Sequence, residues 1–100
     1  MTTPSIPDQQ ELRDRVRAAL RRQIGDAMTA VSDDALLPEA LGSRYDSLAA
    51  MECVTGVEEE FGIEVDFVAH DVRYWFGSIE RIAQFTADQL EDAAVTGGLR

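Results

Sequence analysis

This sequence predicts an all-α fold, a small four-helix bundle with three main helices and one short one, and three observations predict it. Apolar residues recur at helical spacing in three separate stretches. The one stretch of alternating character, Ile63, Val65 and Phe67, has no second strand to pair with. One hundred residues, 45% of them hydrophobic and 28% charged, suit one compact domain with a modest core. Three amphipathic stripes turned inward make a bundle.

Taken in order, residues 1–8 carry two prolines, two threonines and a serine, and read as a flexible lead-in. A single folded domain then spans 9–91. Its first helix starts at Gln9 with Asp8 as N-cap and stops at Gly25. Leu12, Val16, Ala19, Leu20 and Gln23 share one side; Arg13, Asp14, Arg17 and Arg21 share the other. The connection from 26 to 45 is long for a compact domain, so Leu36, Leu37 and Leu41 are expected to anchor it, with one short helical turn over 38–41.

The next main helix is expected over 47–60. Ala50, Cys53, Val54, Val57 and Phe61 fall in a stripe about 100° wide, while Leu48, Glu52, Thr55 and Glu59 face outward. Gly56 interrupts it, at a cost of up to about 1 kcal/mol relative to alanine, and Gly62 suits its C-cap. A short extended piece follows, then a minor helix within 68–74. Tyr74, Trp75 and Phe76 are expected to pack the last helix on the core. Ser78 caps that helix, where Ile79, Ile82, Ala83, Thr86 and Leu90 share a face. Residues 92–100 read as a flexible tail.

Charge narrows the partners. Nineteen acidic residues oppose nine arginines and no lysine, a formal net charge of −10. Nucleic acid and anionic membranes should repel such a chain, whereas proteins with basic patches attract it. No apolar run is long enough to cross a bilayer and the N-terminus lacks a secretion signal, so a cytoplasmic monomer is expected. Cys53 is the sole cysteine and His70 the sole histidine, which excludes an internal disulfide and leaves no metal site. Cys53 reads as a small core residue.

Enzyme readings find no constellation. Ser47 sits in RYDSLA and not in a G-x-S-x-G elbow, and Glu58, Glu59 and Glu60 are successive helical positions that point apart. No P-loop, dinucleotide fingerprint or EF-hand loop is present. No catalytic residue is assigned. Ser47 itself has two readings. It or Asp46 caps the helix; or Asp46 caps, and Ser47 offers its hydroxyl at the positive end of the helix dipole, where an attached phosphate is favoured.

At these residues the sequence resembles the acyl carrier protein family. The triplet Asp46-Ser47-Leu48 at a helix start, Glu52 five residues after the serine, and VEEEFGIEV from Val57 to Val65 carry the resemblance. FGSIERIAQF is similar to the start of the family's fourth helix. The resemblance implies that a phosphopantetheinyl transferase attaches 4′-phosphopantetheine to Ser47, and that the arm's thiol holds an acyl group as a thioester. It implies that Asp46 and Leu48 belong to the transferase's recognition motif, and that Glu52, Glu58 and Glu59, with Thr55 on the same helix, face acyltransferases, ligases or synthases that dock through basic patches. The loop departs from the family pattern: Ser43, Arg44 and Tyr45 separate Leu41-Gly42 from Asp46. That longer loop suggests a carrier dedicated to a polyketide or nonribosomal antibiotic pathway, with Arg44 and Tyr45 selecting a partner. An aminoacyl or peptidyl carrier loaded by an adenylating ligase, and an acidic adaptor without an arm, are the alternatives.

Overall fold

The computed structural model describes the chain over residues 7–98 and its side chains over 7–92. Five α-helices, α1 (Gln9–Ile24), α2 (Leu37–Leu41), α3 (Ser47–Phe61), α4 (Val72–Trp75) and α5 (Ile79–Gly98), occur with no strand among the described residues. Two 3-10 turns, Asp26–Ala30 and Gly42–Tyr45, lie in the long connection. The extended piece at 63–67 therefore stays unpaired. Most of the expected lead-in, and residues 99–100 of the expected tail, lie outside the described residues, while helical backbone runs to Gly98.

Helix ends follow local chemistry. Asp8 accepts a hydrogen bond from the Glu11 N–H at 2.8 Å and starts α1. Gly62 closes α3 in a left-handed conformation (φ 67°), where a side chain would be strained. Asp71 caps the single turn of α4, and the Ser78 hydroxyl accepts from the Arg81 N–H at 3.1 Å to start α5. The minor helix thus begins four residues later than the start of the expected window.

Helix α1 packs against both α3 and α5. Leu12, Val16, Ala19 and Leu20 meet Cys53, Val54 and Val57 of α3 and Ile79, Ile82 and Ala83 of α5 in one core. The periodic stripes place most of these. Three positions differ. Gln23, expected inside, is exposed. Phe85, not assigned to the α5 face, is the largest fully buried side chain and gathers His70, Trp75 and Phe76 around its ring at 4.9, 5.8 and 5.9 Å. Its neighbours are aromatic rings from α4 and the residues on either side of it, which widen the buried arc of α5 beyond the stripe.

The third difference is Arg17, expected on the solvent side. Its guanidinium donates to the carbonyls of Met28 (2.7 Å) and Val31 (2.6 Å) and to the Asp33 carboxylate (2.6 Å). One side chain thereby serves the Val31 carbonyl and adds a second bond to the Met28 carbonyl, which also accepts from the Val31 N–H at 3.2 Å. Met28 and Val31 are buried with Leu37 and Leu41, whereas Leu36 stays exposed. Backbone bonds from Leu37 N–H to the Gly77 carbonyl (2.8 Å) and from Glu80 N–H to the Asp33 carbonyl (2.9 Å) tie the same connection to the start of α5. A long irregular segment is held this way without regular structure of its own.

Candidate functional site

The start of α3 divides the work between adjacent residues. Asp46 has extended backbone and its carboxylate accepts from the Ala49 N–H at 2.8 Å, so it is the cap. Ser47 is the first helical residue and is exposed. Its hydroxyl stands at the positive end of the helix, a position that favours an attached or approaching anion. Leu48 follows, 69% exposed.

Along α3 the outward ridge continues through Glu52, Thr55 and Glu59, all exposed. The Thr55 hydroxyl donates back to the Met51 carbonyl at 3.2 Å, an ordinary helical contact. Glu58 departs from the expected ridge. It is half-buried, and its carboxylate accepts from the Val65 N–H at 2.8 Å, folding the chain back after Gly62. Glu60, assigned no role from the sequence, binds Arg15 (2.9 Å) and Arg22 (2.8 Å) of α1; hydrogen bonds from Arg22 and Arg15 hold its carboxyl below the usual range. Two of the three consecutive glutamates thus bind the protein itself, and only Glu59 is free on the ridge.

The lengthened loop separates its two candidate selectivity residues in the same way. Arg44 is exposed. Tyr45 is half-buried, and its hydroxyl donates to the Phe76 carbonyl at 2.6 Å. Burial, and then the neighbouring Cys53 thiol, push its phenol well above the usual range. Tyr45 therefore braces the loop against the chain between α4 and α5, while Arg44 alone of the pair faces solvent.

Beside Ser47 lies a groove of about 490 Å³ between α2, α3 and the segment from 67 to 77. Its walls are apolar: Pro38, Ala50, Met51, Phe67, Val72 and Phe76, with Asp46, Ser47 and Arg73 on the lining as well. Phe67 and Met51 are 51% and 45% exposed, unusual for large apolar side chains on a small acidic protein. Phe67 was expected only as part of an extended piece. Sequence reasoning finds Ser47 but not the groove, because its walls come from four segments separated by up to about forty residues.

Cys53 is buried on the inner face of α3, its thiol pushed up to about 12 by burial and then by Glu52. His70 accepts the Asp66 N–H on Nδ1 at 3.1 Å and packs edge-on against Phe85. Ser47 and His70 are not joined by a hydrogen bond among the described residues. No group of three or more potential metal-ligating side chains, and no helix long and apolar enough to cross a membrane, occurs among the described residues. The chain matches no protein-family model, no curated protein and no solved structure.

Proposed function

We propose that this chain is an acyl carrier protein, with 4′-phosphopantetheine attached to Ser47. One observation carries the reading: Asp46 caps α3, which leaves the neighbouring Ser47 hydroxyl exposed at the positive helix end and on the lining of an apolar groove. A serine that capped the helix itself would be engaged with backbone N–H groups. This one is accessible to a transferase.

The residues around Ser47 suit the group. The open first turn of α3 favours the phosphodiester, and the groove offers apolar surface to the arm or its cargo. When bound, the group supplies a terminal thiol on a long flexible arm, which holds an acyl chain as a thioester. Asp46 fixes the first turn of α3 and with it the direction of the Ser47 hydroxyl. Leu48, Glu52 and Glu59 form an exposed ridge on which basic partners can dock, a modest and salt-sensitive attraction. Cys53 stays protonated and buried, so the chain's own thiol does not compete with the arm for acyl groups. Tethering keeps the cargo at high effective concentration near each docked enzyme. A dedicated polyketide or nonribosomal role, with Arg44 as the exposed selectivity residue, is the finer form of this proposal.

The test is an intact mass after incubation with coenzyme A and a broad-specificity phosphopantetheinyl transferase, beside Ser47→Ala. The expected result is one added phosphopantetheine on the wild type and none on the variant. A folded wild type that gains nothing across several transferases overturns the proposal and favours an acidic adaptor. Loading of the modified protein by an acyltransferase or by an adenylating ligase then separates an acyl from an aminoacyl carrier.

A further inference from the structure

A second concavity, of about 450 Å³, lies between the start of α1, α4 and the start of α5, and it differs in kind from the Ser47 groove. Two arginines, Arg13 and Arg81, and the aromatic pair Tyr74 and Trp75 line it. On a chain with net charge −10, two guanidinium groups in one cleft run against the overall balance.

Neither guanidinium is well partnered. Arg15, Arg17, Arg21 and Arg22 each hold a carboxylate at 2.6 to 3.2 Å. The carboxylate contact of Arg13 is Asp33 at 3.8 Å, and Arg17 already holds that residue at 2.6 Å. The Nε of Arg13 is buried with no hydrogen-bond partner, which leaves a charged donor desolvated and unsatisfied. Arg81 has no carboxylate within ion-pair distance among the described residues; its guanidinium lies over the Tyr74 ring, 4.4 Å from the centroid. Stacking of this kind fixes the plane of the guanidinium, so its forked N–H edge is preset for a carboxylate.

We propose that this cleft binds a small planar monocarboxylate, an aromatic acid anion, with its carboxylate on Arg13 and Arg81 and its ring against Tyr74 and Trp75. The two aromatic side chains stand nearly perpendicular, 84° apart with centroids at 5.1 Å, and form an L-shaped wall suited to a flat ring. Glu80 lines the cleft as well, and with Asp33 at 3.8 Å from Arg13 its carboxylate disfavours a phosphate dianion more than a monocarboxylate. Gln9 also lines the cleft, and its amide can donate to a carboxylate oxygen, whereas the Gln84 amide nitrogen already donates to Asp88 at 3.1 Å. The site is independent of Ser47 and of any arm attached there.

Titration of the uniformly 15N-labelled full chain with sodium benzoate, sodium acetate and inorganic phosphate tests this by NMR. Trp75 is the only tryptophan, so its indole N–H gives one identifiable signal at the cleft. Benzoate is expected to shift that signal saturably with Kd of roughly 1–10 mM, acetate to bind about tenfold more weakly for want of ring contact, and phosphate no more tightly than acetate. Arg81→Gln is expected to weaken benzoate by about tenfold or more. Gln84→Glu, an exposed surface change, is expected to weaken it by adding a repelling carboxylate, and it carries the test by itself if Arg81→Gln does not fold. A linear, unsaturated response to benzoate, tighter binding of phosphate, or benzoate affinity unchanged in a folded variant overturns the proposal.

Discussion

Replacing Gly56 with alanine is expected to stabilise this protein. Gly56 is buried in the interior of α3, where it faces α1. Glycine in a helix interior is about 1 kcal/mol less favourable than alanine, because the unfolded chain has more backbone freedom to lose. Whether that gain is realised depends on space. A Cβ built on Gly56 meets Gln23 Nε2 at 3.5 Å, Gln23 Cγ at 3.6 Å and the Ala19 carbonyl oxygen at 3.7 Å, all ordinary van der Waals contacts. The nearest neighbour is an exposed, flexible side chain that can move. The full propensity difference should therefore appear, about 1 kcal/mol, which for a domain of this size raises Tm by about 4–8 °C. Thermal and urea unfolding followed by circular dichroism measure both quantities. A lower Tm for Gly56→Ala would refute the reasoning and mean that the α1–α3 crossing has no room for a methyl group. Gly56→Leu, which must displace the Ala19 backbone, is expected to destabilise.

Other contacts give further predictions. Gly77→Ala should have the opposite sign to Gly56→Ala, because its Cβ would lie 3.0 Å from Arg81 Nη1 and 3.1 Å from the Tyr74 carbonyl; a loss of about 1–3 kcal/mol in urea unfolding is expected. Arg17→Met keeps the apolar stem but orphans the Val31 carbonyl and leaves the Met28 carbonyl only its 3.2 Å bond from the Val31 N–H, and should cost about 1–3 kcal/mol, with faster amide exchange confined first to residues 26–36. Cys53 has its pKa raised from 9.0 to about 12 in the folded state, so the native chain binds a proton there that the unfolded chain has released. Its contribution is intact below pH 9.0 and is lost as pH climbs towards about 12; a Cys53→Ala variant should show a shallower alkaline loss of stability over that window. In the native protein Cys53 should also resist a thiol reagent at pH 8 and react once urea unfolds the chain.

The bundle was legible in the residues because a helix facing one core writes its period into the chain. Leu12, Val16, Ala19 and Leu20, then Cys53, Val54 and Val57, then Ile79, Ile82 and Ala83, all lie where helical spacing puts them. The capping carboxylate of Asp8 was legible for a related reason: a cap acts on N–H groups only two or three residues away. At the start of α3 the residues offered two caps, Ser47 and Asp46, and the structure gives the role to Asp46, leaving the Ser47 hydroxyl free. What periodicity does not record is a contact between distant segments. Arg17 looked like a solvent-facing charge until the chain from Met28 to Asp33 folded across it, and Glu58 like a ridge carboxylate until Val65 returned to it. Phe85 escaped because its ring neighbours, His70, Trp75 and Phe76, come from outside the helix whose period was being read. Both concavities belong to this second kind. Each is walled by side chains from three or more segments, so its shape, its apolar or cationic character and its nearness to Ser47 exist only once the segments have packed. Short-range geometry is set by neighbours along the chain and can be read there; a cleft is set by how separate pieces meet, and only the tertiary structure decides that.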